Sequence, residues 1–367
     1  MTNNTTLKKA LIAMSGGVDS SVAAYLVKEQ GYECIGATMK LYHNDDIGIP
    51  RAHTCCSLDD VEDARNVALT LGIPYYVFNF SERFKEEVMD KFVKCYESGM
   101  TPNPCIDCNR YLKFEYLYNR AKELDYDYIV TGHYALIEYS EEHGRYLLKK
   151  SPNLAKDQSY VLYSLTQDQL AHTLFPLGAM DKQEVRNIAE EHNLITATKH
   201  DSQDICFVQN GSYADFIENY TGRTYEPGNF IDTEGNILGT HKGIIRYTIG
   251  QRKGLGLALK QPMYVKSVNV EDNTVVLARD EELFSDTLIA NDLNLISVPH
   301  IDGELRVKAK VRYRHTEQWA TVKQISDDKI KVVFDEPQRA ITKGQAVVLY
   351  DGDIVVGGGT IISTEGL

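Results

Sequence analysis

The stretch Leu11-Ile12-Ala13-Met14-Ser15-Gly16-Gly17-Val18-Asp19-Ser20-Ser21 has the residue types of a phosphate site. A short apolar strand runs into Ser-Gly-Gly and then into an apolar-periodic helix marked by Val22, Ala23, Leu26 and Val27. Two glycines let the backbone turn tightly and approach a ligand closely. Ser20 and Ser21 bring hydroxyls to the start of a helix, where unpaired N–H groups and the dipole favour an anion. No lysine follows, so this is not the Gly-x-x-x-x-Gly-Lys-Ser/Thr phosphate loop, and the Gly-x-Gly-x-x-Gly dinucleotide fingerprint is absent too. An ordinary tight turn is the competing reading. Asp19 would either hold magnesium or cap the helix.

Thiols form the second candidate centre. In Thr101-Pro102-Asn103-Pro104-Cys105-Ile106-Asp107-Cys108-Asn109, a Cys-x-x-Cys lies on a proline-bounded loop just before a helix. Such thiols are acidified and become better nucleophiles and ligands. Cys206 stands far downstream in the polar loop Asp201–Phe207. Cys34, in an apolar strand, and Cys95, in a helix, read as core residues. Cys55 and Cys56 are adjacent; with Cys105 and Cys108 they would complete a four-thiolate zinc site.

The third feature is electrostatic. From Arg306 to Arg314 every second residue is basic, so a strand here would line one face with Arg306, Lys308, Lys310, Arg312 and Arg314 over about 26 Å. Val307, Ala309, Val311 and Tyr313 would then face the core. Between Thr240 and Asn269 there are six Lys or Arg and no Asp or Glu. In a chain of net charge −13 this segregation suits a phosphate-rich polymer; a solvated charged face is the plain alternative.

The elements that must position these groups follow from periodicity. Strand and helix signals alternate to about residue 205. Ala10–Met14, Cys34–Met39, Tyr75–Phe80 and Tyr128–Thr131 read as strands. Ser57 and Asp60 form a capping-box pattern ahead of a stripe of Val61, Ala64, Val67, Ala68 and Leu71, with Gly72 as its stop. Residues 81–97 and 109–123 read as helical, and Asp181 with Glu184 caps another helix carrying Val185, Ile188 and Ala189. This alternation predicts a parallel sheet with helices on both faces, whose ligands sit at the carboxyl ends of the strands. From Tyr213 helical periodicity fades and glycines punctuate short strands, predicting a small β-rich module. The remainder alternates as a small β-barrel does. The expected domains are 1–212, 213–282 and 283–367. With 367 residues and 43% hydrophobic residues the chain can bury real cores. No apolar run spans a membrane and no signal peptide is visible, so the cytoplasm is expected. Seven cysteines in such a chain are not a disulfide scaffold.

Taken together, these motifs resemble the tRNA-specific 2-thiouridylases, a branch of the ATP pyrophosphatases with an adenine-nucleotide α-hydrolase-like sheet. The resemblance runs over nearly the whole chain. It includes Thr131-Gly132-His133-Tyr134, Lys156-Asp157-Gln158-Ser159-Tyr160 and Tyr247–Gly256 besides the loops above. It implies that Ala13, Met14, Ser15, Gly16, Gly17, Val18, Asp19 and Ser20 hold ATP, with Met39 and Gly132 contacting the nucleotide and Mg2+ accompanying the phosphates. It implies that Asn103, Pro104 and Cys105 border the target base, and that His133, Lys156, Asp157, Gln158, Arg312, Tyr313 and Gln345 touch tRNA. The implied tRNAs are those for lysine, glutamate and glutamine; no membrane and no DNA partner is implied. Cys108 would act first as nucleophile and Cys206 would carry a persulfide, fed by a persulfide donor protein or hydrosulfide. In the family an aspartate commonly stands where this chain has Cys105. Three thiols, Cys105, Cys108 and Cys206, would suit a [4Fe-4S] cluster with an open iron, a second sulfur route. Another adenylating enzyme of this loop type, forming an amide or C–N bond, is the functional alternative.

Overall fold

The computed structural model describes residues 7–42, 58–199, 205–208 and 212–364. It divides into two compact units. One comprises residues 1–88, 105–209 and 353–355; the other comprises 89–104, 210–352 and 356–367.

The first unit is built on a five-stranded sheet of β1 (Lys9–Ala13), β2 (Glu33–Lys40), β3 (Tyr75–Asn79), β4 (Tyr128–Val130) and β7 (Thr173–Leu174), ordered β3-β2-β1-β4-β7. Every pairing within it is parallel. Parallel neighbours need crossovers, and this unit's helical segments are α1 (Val18–Glu29), α2 (Leu58–Leu71) and the helical turns over 81–88 and 105–123. Ala10 and Ile12 of β1 pack with Val22, Ala23 and Val27 of α1 and Ala64, Val67 and Ala68 of α2 in one buried core. That is the predicted stripe, and Gly72, at φ +64°, ends α2 as expected. Ser57 and the Cys55–Cys56 pair lie outside the described residues. The antiparallel hairpin of β5 (Ala135–Ser140) and β6 (Arg145–Lys150) is not among the elements expected from periodicity.

In the second unit, α9 (Tyr213–Thr221) corrects the expectation that helical character ends at Tyr213. Ser212 caps it reciprocally with Asp215, a capping box using Asp rather than Glu. Beyond it lies a four-stranded sheet ordered β10-β11-β8-β9, from β8 (Gly228–Ile231), β9 (Ile237–His241), β10 (Tyr264–Asn269) and β11 (Thr274–Ala278). Strands β12 (Phe284–Leu295), β13 (Glu304–Lys310), β14 (Gln318–Ser326), β15 (Lys329–Arg339), β16 (Ala346–Asp351) and β17 (Ile354–Ser363) follow. They run β12-β15-β14-β13-β16-β17, and β17 pairs back onto β12, closing a barrel. Val307, Ala309, Ala320, Val322, Val332 and Leu349 fill it. Fold class thus follows the expectation: a helix-covered parallel sheet, a small β-rich module and a barrel.

The basic strand needs correcting. β13 stops at Lys310, so Arg312 and Arg314 lie in the turn beyond it and the cations do not form one continuous ladder. Tyr313 is 36% exposed rather than core. Arg306 is paired with Asp335, and Lys308 lies 3.8 Å from Glu317.

Candidate active site

Helix α1 starts at Val18 with Gly17 as its N-cap, two residues earlier than the serines suggest. Val18, Asp19 and Ser20 are therefore the first helical residues, whose N–H groups have no partner within the helix. The serine hydroxyls are folded back. Ser20 Oγ and Ser21 Oγ donate to Gly17 O at 3.0 and 2.9 Å, and Ser15 N donates to Ser20 Oγ at 3.2 Å. Gly16 has φ +75°, and a Cβ there would lie 2.8 Å from Asp60 Cα and closer still to its carbonyl oxygen. Gly132, just past β4, is equally constrained, since its Cβ would meet Asp19 Cβ and Ser20 N at 3.0 Å. The turn at the end of β1 and the loop after β4 thus form one tightly packed mouth at the carboxyl edge of the sheet. Met14 N bonds Ala37 O at 2.8 Å, seating the turn on β2, where Met39 stands half-buried. Ala13 is the last residue of β1.

Two partners of Asp19 escaped the sequence reading. Lys182 Nζ lies 2.6 Å from Asp19 Oδ1, and Tyr134 OH donates to the same oxygen at 2.8 Å. Lys182 is the first residue of α8 (Lys182–Glu191), directly after the capping Asp181. That cap was visible; a cation at the first helical position was the available signal. Gln158 Oε1 accepts from Tyr134 N at 2.9 Å, and Asp157, buried, accepts from Ser151 N and Ser159 N at 3.0 and 3.2 Å. Both side chains thus order the 151–159 segment around the mouth. Lys156 is half-buried. His133 is buried; its surroundings and the Lys113 charge hold its pKa well below the usual histidine value. Its neutral ring accepts from Lys113 Nζ at 3.4 Å through Nε2 and donates to Thr131 Oγ1 at 2.7 Å through Nδ1.

Cys105 and Cys108 stand three residues apart on successive helical turns, so both thiols share one face. Cys105 is exposed, and Cys108, half-buried, opens a π-helical stretch, Cys108–Leu117. Asn109 Nδ2 donates to Val161 O at 3.1 Å and fixes that stretch at its start. Cys206 is also half-buried. Tyr42 OH donates to its carbonyl at 3.0 Å, and Phe207, fully buried, meets Phe84 edge-on at 5.7 Å. Tyr42 follows β2, so the loop of Cys206 is moored at the same carboxyl edge as the glycine turn. Among the described residues no group of three or more His, Cys, Asp or Glu is arranged to hold a metal ion. Cys34 is buried as expected, whereas Cys95 is only partly so. Burial pushes the Cys34 thiol up to about 11. Iodoacetamide at pH 8 should therefore label Cys105 readily and leave Cys34 unmodified in the folded protein, as peptide mass mapping would read.

The remaining candidates belong to the second unit. Gln345 Nε2 donates to Thr101 O and Pro102 O at 2.9 and 2.8 Å, tethering the segment that precedes Asn103 and Pro104. Arg312 Nη2 reaches Ile249 O at 3.2 Å, Ala340 O at 2.7 Å and Thr342 Oγ1 at 2.5 Å. It thereby joins the Tyr247–Gly256 loop to a barrel turn.

Residues 8–210 match the family model described as "tRNA methyl transferase HUP domain". Residues 214–279 match "tRNA methyl transferase PRC-barrel domain" and residues 285–361 match "Aminomethyltransferase beta-barrel domain". The chain is 55% identical to a protein of Clostridioides difficile named tRNA-specific 2-thiouridylase MnmA, over 96% of this chain and 98% of that one. It is 55% identical to the protein of that name from Lachnoclostridium phytofermentans, over 97% of this chain and 100% of the relative. For the Acetivibrio thermocellus protein the identity is 54%, over 96% and 99%.

Proposed function

Because the chain belongs to the tRNA-specific 2-thiouridylase family, we propose that it replaces the C2 oxygen of a tRNA wobble uridine by sulfur, using ATP. The observation that carries this reading is the glycine turn at the end of β1. It presents the first amides of α1 at the sheet's carboxyl edge, beneath a Gly132 too tightly packed for any side chain. Ser15 to Ser20 would cradle the ATP phosphates, with Ala13, Met14, Met39 and Gly132 lining the nucleoside. Asp19 is the hard oxygen donor that would hold Mg2+, which neutralises phosphate charge during the displacement. Lys182 and Tyr134 fix the orientation of that carboxylate.

The C2 oxygen attacks the α-phosphorus and pyrophosphate departs, leaving an O-adenylate. The terminal sulfur of a Cys206 persulfide then attacks C2, and AMP leaves with the oxygen. Cys108 thiolate, in this order the second nucleophile rather than the first, attacks Cys206 Sγ, which releases 2-thiouridine and forms a Cys108–Cys206 disulfide. A thiol reductant restores both thiols. A persulfide donor protein then passes its outer sulfur to the Cys206 thiolate by exchange; hydrosulfide would serve instead by opening the Cys108–Cys206 disulfide before its reduction, giving the Cys206 persulfide and the Cys108 thiol. A cluster on Cys105, Cys108 and Cys206 is the second sulfur route, and none of these steps uses it.

Residues 1–212 would form the catalytic domain, and 213–282 and 283–367 would grip tRNA. Asn103, Pro104 and Cys105 would border the base. His133, Lys156, Asp157, Gln158, Arg312, Tyr313 and Gln345 would act around the RNA, several of them by ordering the surface it meets. No helix among the described residues is long and apolar enough to cross a membrane, and work on tRNA suits the cytoplasm.

The test supplies purified protein with an unmodified lysine, glutamate or glutamine tRNA transcript, ATP, Mg2+ and a persulfide donor. Nucleoside mass spectrometry should find 2-thiouridine at the wobble position, with AMP and pyrophosphate formed in step. ATP–pyrophosphate exchange that depends on a small carboxylate instead of tRNA would favour an amide- or C–N-forming synthetase.

A further inference from the structure

Alternation along β13 and β14 sorts their side chains onto two faces. Val307, Ala309, Ala320 and Val322 fill the barrel. Arg306, Lys308, Trp319 and Lys323 stand on the outer face, where Lys308 is the register partner of Trp319. Trp319 is the chain's single tryptophan. It is 49% exposed, although Arg306 Cζ lies 5.1 Å and Lys308 Nζ 5.5 Å from its ring centre. In the turn between the two strands, Lys310 Nζ lies 5.6 Å from the ring centre of Tyr313, a second exposed aromatic ring with a cation beside it. The carboxylates on this face are Glu304, Glu317 and Asp335. Arg306 holds Asp335, and Glu317 lies 3.8 Å from Lys308. Lys323 has Glu304 opposite it on β13 and Lys331 opposite it on β15. Among the described residues no ion pair engages Lys323 or Lys331. Two ammonium groups set opposite each other repel, so this end of the face keeps positive charge that an anion would neutralise.

We propose that the outer face of β13 and β14 binds tRNA, with an unpaired base stacked on Trp319 and phosphates at Lys323 and Lys331. Arg306 and Lys308 hold the indole in place. Lys323 stands four residues from Trp319 along β14, about 13 Å. An unpaired nucleotide carries a flat ring for the indole and a phosphate for the ammonium groups, the two features by which single-stranded RNA is gripped. A protein partner would need an apolar patch depleted of charge; Trp319 and Val333 are instead set among charged and hydroxyl side chains. In a chain of net charge −13 a polyanion needs such a local gathering of cations. The inference rests on the thiouridylase reading, which makes tRNA the substrate.

Because Trp319 is the only tryptophan, fluorescence excited beyond tyrosine absorption reports this face alone. Titration with an unmodified lysine tRNA transcript should quench the wild-type emission, saturating together with filter binding. Trp319→Ala should weaken tRNA binding about fivefold to a hundredfold, the range for one stacked base, and Trp319→Phe should recover most of it. Binding of a non-hydrolysable ATP analogue should be unchanged in both. Lys323→Gln should lower the slope of log affinity against log salt by about 0.7 to 0.9, the value of one phosphate contact. The wild-type quench needs no variant, so it decides even where Trp319→Ala folds poorly. Binding of tRNA with unchanged emission, and with equal affinity in Trp319→Ala, would overturn the proposal. A Trp319→Ala defect confined to thiolation from a persulfide donor protein, with tRNA affinity intact, would overturn it too and make the face a protein dock. Failure of the wild-type protein to bind tRNA at all would overturn the thiouridylase reading instead.

Discussion

Cys206→Ser is expected to lower 2-thiouridine formation by about a thousandfold or more, while tRNA-dependent ATP–pyrophosphate exchange continues. Adenylation consumes no thiol, so the two half-reactions must separate at this residue. Cys108→Ser should behave differently. The persulfide sulfur can still attack C2, but the thiolate assigned to cleave the resulting disulfide to Cys206 is missing, and Cys105 would have to take its place. A protein–RNA adduct should then accumulate, visible as a shifted band on a denaturing gel and released by dithiothreitol. Cys105→Ser should retain most activity, because the persulfide route gives that thiol no bond to make or break. Normal thiolation by Cys206→Ser would rule out the persulfide route. Strong loss with Cys105→Ser, together with iron and visible absorbance after anaerobic purification, would favour the cluster route.

Gly16→Ala is expected to abolish ATP binding and to lower thermal stability. At φ +75° an alanine costs about 1 kcal/mol from backbone conformation. Its methyl group would also overlap the Asp60 backbone, and overpacking of this kind costs about 1 to 3 kcal/mol more. Helix α2 cannot retreat cheaply, since Ala64, Val67 and Ala68 are fully buried behind that turn. The turn must deform instead, and with it the amides at the head of α1. Gly17→Ala is the control. Its backbone sits at φ −96°, and its Cβ would meet only Ser15 Oγ at 3.5 Å. It should leave the fold intact and weaken ATP binding only as far as phosphates approach that position. Equilibrium binding of a non-hydrolysable ATP analogue and a melting curve distinguish the two. Normal affinity in Gly16→Ala would show that the turn does not hold the nucleotide.

Much of this site was legible because its residue types are forced by local geometry. A positive φ at Gly16 and the capping box at Asp181 are short-range constraints, and short-range constraints leave spacing in a sequence. The strands beneath the site were legible for the same reason, since burial on both faces makes β1 continuously apolar. The contacts that complete the site were not. Lys182 meets Asp19 across 163 residues and Lys199 meets Asp60 across 139, and neither separation leaves a periodic trace. Helix α9 was passed over because glycines soon after it dominate the local texture. The basic alternation from Arg306 to Arg314 misled for a related reason. Strand β13 and the turn after it carry the same every-second-residue pattern, yet only one of them is extended.

The closure of the barrel carries its own consequence. Each of its strands has neighbours on both sides, because β17 returns to β12. An open sheet can unzip from an outer strand, one row of bonds at a time. A ring has no outer strand from which to begin. Loosening any one seam leaves the other five still bonded and the apolar plug of Val307, Val322, Val332 and Leu349 still enclosed. The C-terminal region should therefore persist as a whole or vanish as a whole, with no half-frayed form to expose sticky edges while the rest of the chain is still folding.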